Sequence, residues 1–112
     1  MIYGYVNVQK KLENREEEIQ KQAAQLQTFG AEKIIIETDD DNNQLQAMLD
    51  DLQVGDTVHF MELNRLTRSL GMVIADYFKK NNISLYEKNI SINLDMFQLA
   101  YELSKMFPAD YE

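Results

Sequence analysis

The stretch Val54-Gly55-Asp56-Thr57-Val58-His59-Phe60-Met61-Glu62-Leu63-Asn64-Arg65-Leu66-Thr67-Arg68-Ser69 decides how the chain folds. Val54-Gly55-Asp56 spells a turn, Thr57 to Met61 a short buried strand, and Thr67 onward a helix whose start carries Arg65 and Arg68. Two cations therefore sit at a strand-to-helix junction. In an α/β sheet, ligands bind in the crevice beyond the carboxyl ends of the strands, and a helix N-terminus adds N–H donors for an anion. The simplest ligand this suggests is a phosphate.

Upstream, Ile2 to Val8 alternates, with Ile2, Gly4, Val6 and Val8 on one face and Tyr3, Tyr5 and Asn7 on the other, which predicts a strand buried on both faces. A helix is expected over Lys11 to Phe29, with Leu12, Ile19, Ala23 and Leu26 as its apolar stripe, Glu16-Glu17-Glu18 in water and Gly30 as its stop. The β-branched run Lys33-Ile34-Ile35-Ile36-Glu37 predicts a central parallel strand, followed by a polar loop from Asp39 to Asn43. Leu45, Met48, Leu49 and Leu52 keep helical spacing up to the Val54 turn. Downstream, Leu66, Leu70, Val73, Ile74, Tyr77 and Phe78 form one face of a third helix that stops near Asn81-Asn82, ahead of a strand at Ile83 to Tyr86.

Strand alternating with helix predicts a three-layer α/β/α domain over residues 1–112, with a mainly parallel sheet of four or five strands. The last helix, Leu94 to Phe107, is different. Leu94, Met96, Phe97, Leu99, Ala100, Tyr101, Leu103, Met106 and Phe107 surround most of its circumference before Pro108 ends it. One face of a domain cannot bury them all, so Met96, Phe97, Leu99, Ala100, Leu103, Met106 and Phe107 are expected to meet a partner.

Composition narrows the function. At 112 residues there is room for one domain with its own core. The chain has no cysteine, which excludes disulfides and thiolate metal sites and fits a reducing compartment. No targeting segment or membrane-length apolar run is visible, so a cytoplasmic protein is expected. A net charge of −8 argues against free-standing affinity for nucleic acid, which depends on neutralising phosphates.

Four fragments in register carry a resemblance. Ile2-Tyr3-Gly4-Tyr5-Val6-Asn7-Val8, Phe29-Gly30-Ala31-Glu32-Lys33-Ile34, Leu52-Gln53-Val54-Gly55-Asp56-Thr57 and Leu63-Asn64-Arg65-Leu66-Thr67-Arg68-Ser69 resemble, in order, the opening strand, the "aGaekI" junction, the "GD" turn and the L-D-R-L-x-R-S motif of the serine recombinases, the resolvases and invertases. The resemblance is to their N-terminal catalytic domain and covers nearly the whole chain. It implies the strand order 2-1-3-4-5 with an antiparallel edge strand near Ile90 to Ile92. In that family a serine just after the first strand attacks a DNA phosphodiester, and arginines hold the phosphate, without metal or nucleotide cofactor. Here Gln9 aligns with the nucleophile and Asn7 with the arginine of the family's Y-A-R-V-S.

An amide is no nucleophile for phosphorus, and Asn carries no full positive charge. Asn64 stands for the acidic residue of L-D-R-L, and Glu37 to Gln44 is a shortened loop without arginine. Of the family's set only Arg65 and Arg68 remain, as a phosphate clamp. The family's long dimerisation helix would begin near Met96, and Pro108 breaks it early. The expectation is a degenerate recombinase domain without cofactor, homodimeric or paired with an intact recombinase, that meets DNA weakly or through its partner. Two alternatives stand beside it: an active strand-exchange enzyme with a displaced nucleophile, and an anion-binding α/β module unrelated to DNA.

Other reactive residues have plainer readings. Ser69 lacks a neighbouring base and belongs to a helix start, where hydroxyls cap. His59, the only histidine, lies in an apolar strand and reads as packing. Glu37 with Asp39-Asp40-Asp41 lacks the glycine and spacing of a cation loop and reads as solvated polar loop, so no metal site is expected. Tyr3 and Tyr5 read as core residues.

Overall fold

The computed structural model describes residues 1–37 and 42–104. The elements run β1 (Ile2–Val6), α1 (Arg15–Thr28), β2 (Lys33–Ile36), α2 (Asn43–Asp51), β3 (Thr57–Phe60), a 3₁₀ turn (Leu63–Arg65), α3 (Arg68–Lys80), β4 (Ser84–Glu87), β5 (Ile90–Ile92) and α4 (Leu94–Ser104). The strands form one sheet in the order β2-β1-β3-β4-β5. All neighbours are parallel except β4 and β5. The strand order and the antiparallel edge are as expected, but β2, read from its isoleucines as a central strand, lies at the opposite edge of the sheet with Lys33 and Ile36 exposed. Asp39 to Asp41, Met106, Phe107 and Pro108 lie outside the described residues.

Alternation along β1 splits the interior in two. Tyr3 and Tyr5 face Leu45, Met48 and Leu49 of α2 and Ile74 and Phe78 of α3, together with Val58, Phe60 and Leu85 of the sheet. Val6 and Val8 face Ile19 and Leu26 of α1. Helix α1 thus covers one side of the sheet, and α2 and α3 the other. Removing a fully buried aromatic such as Phe60 or Phe78 leaves a cavity worth about 3–5 kcal/mol.

Helix α1 starts later than its apolar spacing indicates. Residues 9–15 make two successive turns, Leu12 N to Gln9 O and Arg15 N to Leu12 O, and Leu12 is 40% exposed rather than part of the stripe. The acidic run explains the shift, because Glu16, Glu17 and Glu18 stabilise the positive end of a helix when they occupy its first turn. Gly30, at φ 98°, stops the helix as expected, with the Ala31 amide returning to Leu26 O at 3.0 Å. Thr67 caps α3 rather than opening it, its hydroxyl accepting the Leu70 amide at 3.3 Å.

Helix α4 has two unlike sides. Leu94 and Phe97 pack against the core, Phe97 meets Tyr101 edge-on at 4.9 Å, and Lys79 of α3 holds Asp95 and Gln98, each at 2.8 Å. Tyr101 lies directly on Gly71 of α3, where any added side chain would collide with its ring. The domain therefore takes Phe97 into its own packing. Met96, Leu99 and Leu103 point away, 64, 43 and 45% exposed, with Ala100 also exposed.

The turn before β3 is closed by charge. Asp56 accepts the Gln53 amide at 2.8 Å and the Met1 ammonium at 3.0 Å. The Gln53 bond, aided by the ammonium and opposed by burial, holds the Asp56 carboxyl below the usual aspartate range. The bond to Asp56 raises the ammonium. A lowered carboxyl stabilises fully above its unfolded pKa and loses that stabilisation as pH falls through the folded value. A raised ammonium stabilises fully below its unfolded pKa and loses it as pH rises through the folded value. The thermal midpoint should therefore plateau between about pH 4 and pH 8 and decline on both sides. Thermal melts across pH should show Asp56→Asn lowering the plateau and flattening the alkaline decline; superimposable profiles would remove the pair from the account.

Candidate functional site

Three helices begin at the carboxyl edge of the parallel strands, so their positive ends gather where β1, β2 and β3 finish. The end of α2 is neutralised from within. Glu37, just past β2 and 1% exposed, accepts the Leu45 amide at 3.0 Å, the Gln44 amide at 3.1 Å and the Tyr5 hydroxyl at 3.0 Å. A buried carboxylate is tolerable on these terms, since each bond is charge-assisted. Glu37 is thus a buried helix cap and not part of a solvated loop. Among the described residues no group of three or more His, Asp or Glu could hold a metal ion.

Tyr5 links this cap to the rest of the edge. Burial, then the Glu37 charge and hydrogen bond, push its hydroxyl far above the usual tyrosine range, while the Asn7 side chain bonds it and the Arg65 charge pulls the other way. Asn7, Tyr5, Glu37 and Arg65 therefore share one neighbourhood. Gln9, two residues beyond Asn7, is exposed. Tyr3 instead points to the α2 C-terminus, its hydroxyl on Asp51 at 3.1 Å, with Lys33 over its ring at 5.9 Å. Both tyrosines are core residues.

The Leu-Asn-Arg-Leu segment shows how the fold presents a cation. Leu63 and Leu66 are buried, each 8% exposed, and the 3₁₀ turn between them leaves Asn64 and Arg65 outside. Glu87 of β4 accepts the Leu63 amide at 2.9 Å and fixes the turn. Arg68 follows at the first position of α3, half-buried. Ser69 is exposed, with its hydroxyl 3.4 Å from that of Thr67. His59 is held by packing between Phe29 and Tyr86, with Nδ1 2.6 Å from Lys88 O.

One cation was not expected here. Arg15 opens α1 and reaches back across the edge, Nε donating to Val8 O and an Nη to Glu37 O, both at 3.4 Å. It ties the end of β1 to the end of β2. The chain has only three arginines, and all three stand at this edge. Periodicity placed Arg15 inside a helix instead of at its start. Recognising Asn14 followed by three glutamates as a helix start would have put it beside the end of β1.

The site is therefore an arginine-bearing strand edge with amides, Asn7 and Gln9, at the end of its interior strand. It offers charge and hydrogen-bond donors to an anion. No curated protein matches the chain. The family model described as "Resolvase, N terminal domain" matches residues 3–107, and on that match, with the sheet order and the Leu63 to Ser69 segment in place, the chain belongs to the resolvase N-terminal domain family.

Proposed function

We propose that this domain serves DNA recombination without cutting DNA itself, acting in the cytoplasm by pairing with another protein, a recombinase with an intact site first of all. The observation that carries the reading is the pair Asn7 and Gln9 at the carboxyl end of β1. An amide there cannot form the covalent phosphodiester link that strand exchange requires, and members of a catalytic unit fail together. Arg15, Arg65 and Arg68 supply cations suited to holding a phosphate passively. The net charge of −8 keeps such contact weak unless a partner brings the DNA.

The outer side of α4 supports the association half. Met96, Leu99, Ala100 and Leu103 form an apolar stripe opposite the side that packs on α3. Burying a large side chain contributes about 1.5–3 kcal/mol, and association costs an estimated 4–15 kcal/mol in lost freedom. Three such residues per subunit, counted twice across a symmetric contact, offset a cost in the middle of that range.

Two outcomes follow. Incubated with supercoiled DNA carrying recombination sites, the protein should leave no denaturation-resistant protein–DNA band, and Gln9→Ser should not create one, because Asn7 and Asn64 still leave the developing charge under-neutralised. A covalent band from the wild type would end the reading. In sedimentation, the wild type should dimerise at micromolar concentration, while Met96→Glu and Leu103→Glu should be folded monomers. A wild type that stays monomeric at high micromolar concentration would refute self-pairing through this helix.

A further inference from the structure

Strand β2 ends the sheet, with β1 as its one neighbour. Its composition, Lys33 followed by three isoleucines, is that of a strand with neighbours on both sides. The backbone fixes which of its groups are open. Tyr5 O accepts from Met61 at 3.3 Å and Val6 O from Glu37 at 2.9 Å, so the odd residues of β1 serve β3 and the even ones serve β2. In the register Tyr3 to Lys33 and Tyr5 to Ile35, this turns the backbone of Lys33 and Ile35 toward β1 and that of Ile34 and Ile36 outward. Among the described residues no hydrogen bond reaches these outward groups.

Alongside this margin runs a groove of about 420 Å³ between β2 and α2. Ile35 and Tyr3 line its sheet side, and Ala47 and Met48 its helix side. Its volume lies within the roughly 300–1,000 Å³ of ligand sites. A lysine on an edge strand guards it against other strands. Lys33, however, is engaged inside the domain, its Nζ on Asp51 at 3.3 Å and 5.9 Å from the centre of the Tyr3 ring. The groove is acidic at that end, where Asp50 stands beside Asp51, both exposed, on a helix with no basic residue.

We infer that this margin takes up an extended, basic segment of another protein as an added strand. The backbone of the segment pairs with Ile34 and Ile36, an apolar side chain enters the groove, and a Lys or Arg lies beside Asp50 and Asp51. In such an addition the main-chain bonds supply affinity, and the pockets for alternate side chains supply selectivity. A second copy is the poorer occupant. Pairing β2 with β2 about a two-fold axis sets two α2 helices on one face, each with Asp50 and Asp51 and no cation, between chains of net charge −8. The groove lies at the opposite end of the sheet from β5, away from α4, and does not depend on the proposed function.

Titration of the full chain with the acetylated and amidated peptide Lys-Val-Thr-Val-Lys, followed by amide NMR, tests this. Saturable shifts at Ile34 and Ile36 are expected. The same peptide with its central residues N-methylated should leave both unmoved, and Glu-Val-Thr-Val-Glu should bind roughly tenfold more weakly, the worth of one or two exposed ion pairs turned to repulsions. Asp50→Lys, at an exposed position, should reverse that preference, and Ala47→Phe, which fills the groove, should abolish binding of both peptides. Shifts that do not saturate, binding that N-methylation leaves intact, or a charge preference that Asp50→Lys does not reverse would each overturn the inference. Shifts at Ile34 and Ile36 that grow with protein concentration in the absence of peptide would overturn it as well, by giving the edge to a second copy.

Discussion

The Glu37 carboxylate accepts the Tyr5 hydroxyl and the first free amides of α2 at 3.0–3.1 Å from a position 1% exposed, and so joins β1, β2 and α2 through one side chain. Arg15 adds a bond to the Glu37 carbonyl and brings α1 to the same point. The edge where a ligand would sit is thus organised by a buried anion below it. Removing that anion would leave the Tyr5 hydroxyl and the Leu45 amide unmet in the interior, each at about 1–3 kcal/mol. Arg15 is placed by this arrangement through its bond to the Glu37 carbonyl.

Much of the fold was legible because it rests on side-chain period. Alternation in Ile2 to Val8 and the spacing of Leu45, Met48 and Leu49 each report burial directly, and burial is what the sheet and its two layers satisfy, whereas the isoleucine run of β2 marks a strand that is only partly covered at the sheet edge. The start of α1 was not legible that way. Leu12 sits at helical spacing yet stays outside, because the electrostatics of three glutamates in a first turn outweigh one more apolar contact. The same misplacement hid Arg15. Within the site, Arg65 and Arg68 could be placed from the strand-to-helix junction that carries them and from the family motif, but the role of Glu37 could not be read. A carboxylate beside three aspartates looks solvated until the amides of a following helix are seen to converge on it.

Helix α4 shows why apolar content alone is ambiguous. Its sequence is apolar nearly all round, and the structure divides it: Leu94, Phe97 and Tyr101 belong to the domain, while Met96, Leu99, Ala100 and Leu103 do not. What sorts them is a missing side chain on the neighbouring helix. Gly71 admits the ring of Tyr101 and sets the rotation of α4, which fixes the stripe left outside. The residues that α4 gives to the fold are thus separate from the stripe it leaves exposed.

We propose that the arginines at the edge of β1 hold an anion, with Asn7 and Gln9 at the positions where the family carries an arginine and its serine. The most direct test follows the Nε–H resonances of Arg15, Arg65 and Arg68 while a phosphodiester such as dimethyl phosphate is added. The account predicts that all three shift together with one weak, salt-sensitive affinity, that Arg68→Ala abolishes the response, and that this variant melts within a degree or two of the wild type. Resonances that do not move, or an Arg68→Ala protein that unfolds, would show the arginines to be structural and contradict the account.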